Sequence, residues 1–117
     1  MKNRVVKHWT LHTAVGIVGA FDSIWANGGS GIARIDPSTN TVVAEVRLTP
    51  PLGDPDVVAG KVWAPLIREN AVAIIDPATN QVERTLKVGI GPFVVTTING
   101  EAWIPSWKGR DIWRLKP

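Results

Sequence analysis

The side chains able to do chemistry are few in this sequence, and they do not cluster along it. There are two histidines, His8 and His12, and no cysteine, which removes disulfides, thiolate metal sites and cysteine nucleophiles together. His12 is a candidate general base near neutral pH; its bland reading is a solvated loop histidine. Asp54, Asp56, Glu69 and Asp111 offer oxygens to a hard cation if an assembly gathers them, although their spacing is not that of a calcium loop. The most informative segment is Pro105-Ser106-Trp107-Lys108-Gly109-Arg110-Asp111, an aromatic plane beside two cations. Trp107 could stack on a sugar or aromatic ligand while Lys108 and Arg110 hold an anionic group. The competing reading is structural, with Trp107 covering a sheet edge and the cations solvated. No Gly-rich phosphate loop leads from a strand into a helix and no Ser-His-Asp grouping is readable, so no catalytic residue is assigned.

The elements that must position these residues repeat. Ile35-Asp36-Pro37-Ser38-Thr39-Asn40 returns forty residues later as Ile75-Asp76-Pro77-Ala78-Thr79-Asn80, with five of six positions identical. Trp63 follows Asp36 by 27 residues and Trp103 follows Asp76 by the same 27, and Trp25 is the first copy. After each Asn comes a Val-rich strand, at 40–48 and 80–88, and residues 3–11 supply a third version. Three units, at about 3–37, 40–77 and 80–117, therefore fill a single domain.

Each unit reads as four short strands. In the middle unit they are 42–48, 55–59, 61–66 and 71–76, rich in Val, Ile and Trp and divided by Gly, Pro and Asn. No stretch carries sustained helical periodicity. In the Asp-Pro-x-Thr-Asn turns Pro presets φ, the Asp and Asn side chains bond nearby backbone, and Asn tolerates the left-handed region. Asn99-Gly100 is the pair favoured in two-residue hairpins. An all-β chain of four-stranded antiparallel meanders repeating every forty residues predicts β-propeller blades; a three-sheet solenoid is the alternative. Both faces of these strands are apolar, Ile24 and Ala26 against Trp25, as stacked blades require.

Residues 24 to 43, Ile-Trp-Ala-Asn-Gly-Gly-Ser-Gly-Ile-Ala-Arg-Ile-Asp-Pro-Ser-Thr-Asn-Thr-Val-Val, resemble the YVTN-type propeller repeat of YncE-like proteins and, more distantly, of the streptogramin (virginiamycin B) lyases. The resemblance covers all three units and implies a fold more than a function. Those lyases use glutamate and histidine near a magnesium ion. Glu101-Ala102-Trp103 is similar to wording in that group, but no histidine follows it, so no catalytic role is carried over and magnesium stays an alternative to the expectation of no cofactor.

Three blades do not close a ring, because propellers use about four to eight. The first strand, 4–10, corresponds to the outermost strand of a blade, and 111–115 to a third strand. Two copies would give a six-bladed homodimer in which residues 4–10 of one chain complete the last blade of the other; a trimer is less favoured. The seam residues expected from this exchange are Val5, Val6, Trp9, Ile112, Trp113 and Leu115. The rival is a piece of a longer propeller, excised or engineered.

In such a ring the variable loops at 12–15, 27–31, 49–54, 65–70, 89–92 and 105–111 share one face by the channel mouth. The expected ligand-binding residues are His12, Asn27, Arg68, Asn70, Trp107, Lys108 and Arg110. The repeated Trp25, Trp63 and Trp103 are expected in the core, although a ring of aromatics could also form a glycan surface. Thirteen Lys/Arg lie scattered among ten Asp/Glu, a formal charge of +3 with no basic run, which argues against nucleic acid. No apolar run reaches the roughly 20 residues of a spanning helix. Lys2, Arg4 and Lys7 before apolar 11–21 mimic a secretory leader, but His12 and Thr13 interrupt it and the repeat explains the same residues as strands. The expectation is a soluble, non-enzymatic binding or scaffold propeller, cytoplasmic or periplasmic, taking a small anionic or carbohydrate ligand. A lyase-like enzyme and an inactive fragment are the alternatives.

Overall fold

The computed structural model describes residues 3–10, 16–28 and 30–117. Its strands are β1 (Ile17–Ala20), β2 (Ser23–Gly28), β3 (Gly31–Asp36), β4 (Thr41–Arg47), β5 (Asp56–Val58), β6 (Lys61–Leu66), β7 (Ala71–Asp76), β8 (Gln81–Lys87), β9 (Thr96–Ile98), β10 (Glu101–Ser106) and β11 (Asp111–Leu115). They form three antiparallel meanders, β1-β2-β3-β4, β5-β6-β7-β8 and β9-β10-β11, which we call blades 1, 2 and 3. Among the described residues no helix is long and apolar enough to cross a membrane.

The inner hairpins turn through pairs of residues at positive φ, where Gly, Asn and Asp are the types that accept it most readily. Asn99-Gly100 has φ of 50° and 74°, Ala59-Gly60 has 48° and 76°, and Phe21-Asp22 has 55° and 56°. Two consecutive positive values suit the twist of flanking strands in a two-residue turn. At the outer hairpins, Asp36 accepts bonds from the Ser38 N–H (2.8 Å) and hydroxyl (2.7 Å), and Asp76 accepts from the Ala78 N–H (2.9 Å). Asn40 and Asn80 then turn left-handed at φ 57° and 58°, donating to the carbonyls of Asp36 (2.9 Å) and Asp76 (2.8 Å). A bulge recurs at Arg34/Ile35 and Ile74/Ile75, so the repeat holds down to its irregularities.

Strand alternation gives every blade two apolar faces, and stacking buries them in two clusters. Trp25, Ile32 and Val46 on the front of blade 1 meet Val62, Ala64, Leu66, Ala71, Ala73 and Ile75 on the back of blade 2. Trp63, Val72 and Ile74 on the front of blade 2 meet Ala102 and Ile104 on the back of blade 3. Trp25 and Trp63 are 0% and 1% exposed, as expected of core tryptophans rather than of a glycan surface. At the inner edge Asp54 pairs in parallel with Val94, each blade's inner strand lying beside the next. The approach is close: a Cβ at Gly53 would collide with the Phe93 carbonyl.

β4, which opens the second sequence unit, is the outer strand of blade 1, and blade 3 has three strands. One feature differs from the sequence reading: residues 4–10, expected as a strand, form none in the single chain. β11, the strand they are expected to complete, belongs to the last of the three sheets, and β1, the first strand after them, to the first.

Candidate functional site

One end of the blades gathers the variable loops. The loop after β10 is tied to the preceding inter-blade segment by Trp107 N–H to Gly91 O (3.2 Å) and Gly109 N–H to Ile90 O (3.1 Å). In the loop after β6, Asn70 turns left-handed at φ 54° and accepts a bond from the Gly91 N–H (3.0 Å). Arg110 takes the matching place in blade 3 at φ 58°. Trp107 is 63% exposed with the Lys108 ammonium 5.7 Å from its ring centre, and Phe93, 47% exposed, lines an apolar cavity with it. The pair presents aromatic faces to solvent beside the exposed cations Lys108 and Arg110, with exposed Arg68 at the matching place one blade away. This arrangement can stack on a flat or CH-rich ligand and attract an anionic substituent.

The structure divides the expected ligand residues. Arg68, Asn70, Trp107, Lys108 and Arg110 lie on the loop end; His12 lies outside the described residues. Asn27 is 2% exposed and fastens blade 1 to blade 2, donating to Gly53 O (2.6 Å) and accepting from Gly16 N (2.8 Å). Its side-chain amide thus satisfies backbone groups at that joint, the buried Gly53 carbonyl among them. Phe93 escaped the sequence reading; its only signal was a large apolar residue after the Gly-Pro of a turn. Of the acidic candidates, Asp56 bonds the Val57 N–H (2.8 Å) and the Thr97 N–H (3.1 Å) across the joint of blades 2 and 3. Among the described residues no three His, Asp or Glu side chains gather as metal ligands would.

Among the described residues one sheet face is left open, and another is covered only by the segment that carries Val5, Val6 and Trp9. The front of blade 3 carries Ile98, Glu101, Trp103, Pro105, Ile112 and Arg114, with Ile98 and Ile112 exposed. The back of blade 1 carries Ile17, Ile24, Ala26 and Ile35, and with Pro37 and Asn40 it bounds a cavity of ≈ 490 Å³ under Val5, Val6, Lys7 and Trp9. Of the expected seam residues, Ile112 is on the open face, whereas Leu115 packs on the cluster between blades 2 and 3. Trp113 shares Leu115's side of the sheet, where its indole nitrogen crowds the place a Cβ would take at Gly89. On the open face Arg114 stacks on Trp103 (5.2 Å) and its Nε bonds Glu101, which raises the guanidinium pKa and holds the Glu101 carboxyl below its ordinary range.

No family model matches the chain, and no curated protein sequence matches it. Solved structures do. Kuenenia stuttgartiensis hydrazine synthase is 17% identical at a TM-score of 0.73, covering 91% of this chain and 32% of that one. Myxococcus xanthus glutaminyl cyclase is 12% identical at 0.69, covering 97% and 58%. The dihydro-heme d1 dehydrogenase NirN, in complex with DHE, is 16% identical at 0.65, covering 86% and 27%. The chain thus spans between 27% and 58% of these proteins' lengths. At such identities the likeness concerns architecture alone, and with the three antiparallel sheets it identifies a propeller-like all-β fold.

Proposed function

We propose that the chain is half of a six-bladed binding propeller of the YVTN-like kind, closed by a second copy and taking a small anionic or carbohydrate ligand at its loop end. The observation that carries the assembly is the likeness of the open faces to the internal joints. The front of blade 3 repeats the Trp and Arg of blade 1's front, and the back of blade 1 repeats the small and branched apolar residues of blade 2's back. Head-to-tail docking of two copies buries both faces at two equivalent seams and leaves no sheet face unpaired. Joints of whole blades belong with obligate interfaces, above about 2,000 Å². Closure would place two copies of the Trp107, Phe93 and Lys108 group around one channel mouth.

The binding role rests on the exposed aromatic pair beside cations. It is tested by calorimetry with oligogalacturonides against neutral maltose oligomers, with and without EDTA. Binding of the acidic sugars should survive EDTA and be lost in Trp107→Ala. Binding that requires added magnesium would favour a metal-dependent reading, and no binding of either series would remove the carbohydrate assignment.

A further inference from the structure

Arg34 is the clasp of the internal joint between blades 1 and 2. Its guanidinium stacks on Trp25 (4.7 Å), and its Nε donates to Ser23 Oγ (2.8 Å) within blade 1. Its Nη1 crosses to the outer hairpin of blade 2, donating to the Pro77 carbonyl (2.7 Å) and to Asn80 Oδ1 (2.7 Å). Arg114 reproduces the near half of this device. It pairs in register with Trp103 as Arg34 does with Trp25, stacks on it, and its Nε engages Glu101 at the position matching Ser23. Among the described residues no far half stands opposite it. The matching far half stands at the other end of the molecule, where the hairpin of Pro37 and Asn40 has the backbone bonds and left-handed Asn of the Pro77 and Asn80 hairpin.

Resting on the ring reading above, we propose that Arg114 closes the seam by donating to the Pro37 carbonyl and the Asn40 side chain of a second copy. Trp103, whose buried indole nitrogen has no partner among the described residues, enters the joint beneath it. The receiving face is Ile24, Ala26 and Ile35, which the arm carrying Val5, Val6 and Trp9 covers so loosely that the ≈ 490 Å³ cavity persists. The arm leaves that face as the second copy docks.

A double-mutant cycle on the dimer dissociation constant tests this, by sedimentation of the whole chain. Arg114→Ala removes the donor, and Asn40→Gly removes the side-chain acceptor while still accepting positive φ. Each is expected to weaken the dimer about tenfold per seam, about a hundredfold for both, and the double variant is expected to lose little more than Arg114→Ala alone. Arg34→Ala, at the internal joint, should lower stability with a smaller effect on dissociation. A wild-type dimer indifferent to Arg114→Ala, or fully additive losses, overturns the clasp and leaves the ring standing. A wild-type monomer overturns both.

Discussion

The internal clasp makes the sharpest stability prediction. Replacing Arg34 by Ala removes two bonds to the blade 2 hairpin, at 2.7 Å each, and the stacking on Trp25. Arg34 is half-buried, so each inter-blade bond is taken near the neutral value of about 1 kcal/mol rather than the larger charged value. The stacking adds about 1 kcal/mol. The bonds to Ser23 and Phe21 lie within blade 1 and are replaced in part by water. The expected loss is about 3 kcal/mol. A 117-residue chain unfolds with an entropy of roughly 250 cal/mol/K, so the midpoint should fall by about 12 °C. Denaturant titration and calorimetry at one fixed protein concentration measure this, the fixed concentration keeping assembly from contributing to the difference. Arg34→Lys, which keeps the charge but not the planar fork, should recover less than half. A change under about 0.5 kcal/mol, the usual scale for a surface substitution, would refute the clasp.

Other positions discriminate as clearly. Trp63→Ala opens the packed joint of blades 2 and 3 and should cost about 3–5 kcal/mol by urea titration, while exposed Trp107→Ala should stay within about 0.5 kcal/mol. Asn27→Leu leaves the Gly16 N–H and Gly53 carbonyl without its side chain and should cost about 2–5 kcal/mol, whereas a neutral result would mean those groups find other partners. The Glu101 carboxyl is held low by its bond to Arg114, so its stabilising share is present above the unfolded value near pH 4.3 and is lost as pH falls through the depressed folded value. Glu101→Gln should therefore flatten the acid limb of the stability curve, and an unchanged limb would contradict that pairing. Hydrogen exchange should show amides 4–10 unprotected at low protein concentration and protected on assembly, when they become the outer strand of the neighbouring blade 3.

The architecture was legible because it is periodic. The Asp-Pro-x-Thr-Asn hairpins and the Trp spacing announced sheets whose strands 61–66 and 71–76 stand where the pattern placed them. What periodicity hides is facing. Asn27 reads as a loop amide, yet it lies within a strand whose alternation turns it into the joint with blade 2. Leu115 reads as a terminal seam residue, but its pairing with Ala102 turns it toward blade 2. The arginine clasp had one faint signal, Arg34 and Arg114 occupying aligned positions where the middle unit has Ile74. Only the cross-strand register, which sets each beside a tryptophan, gives that coincidence a physical meaning.

The mass of the particle in solution bears on the central claim most directly. Sedimentation equilibrium at micromolar concentration should return twice the 12.7 kDa chain mass, in one species that does not divide on moderate dilution. A stable 12.7 kDa particle with blade 3's outer face still open to solvent would contradict it.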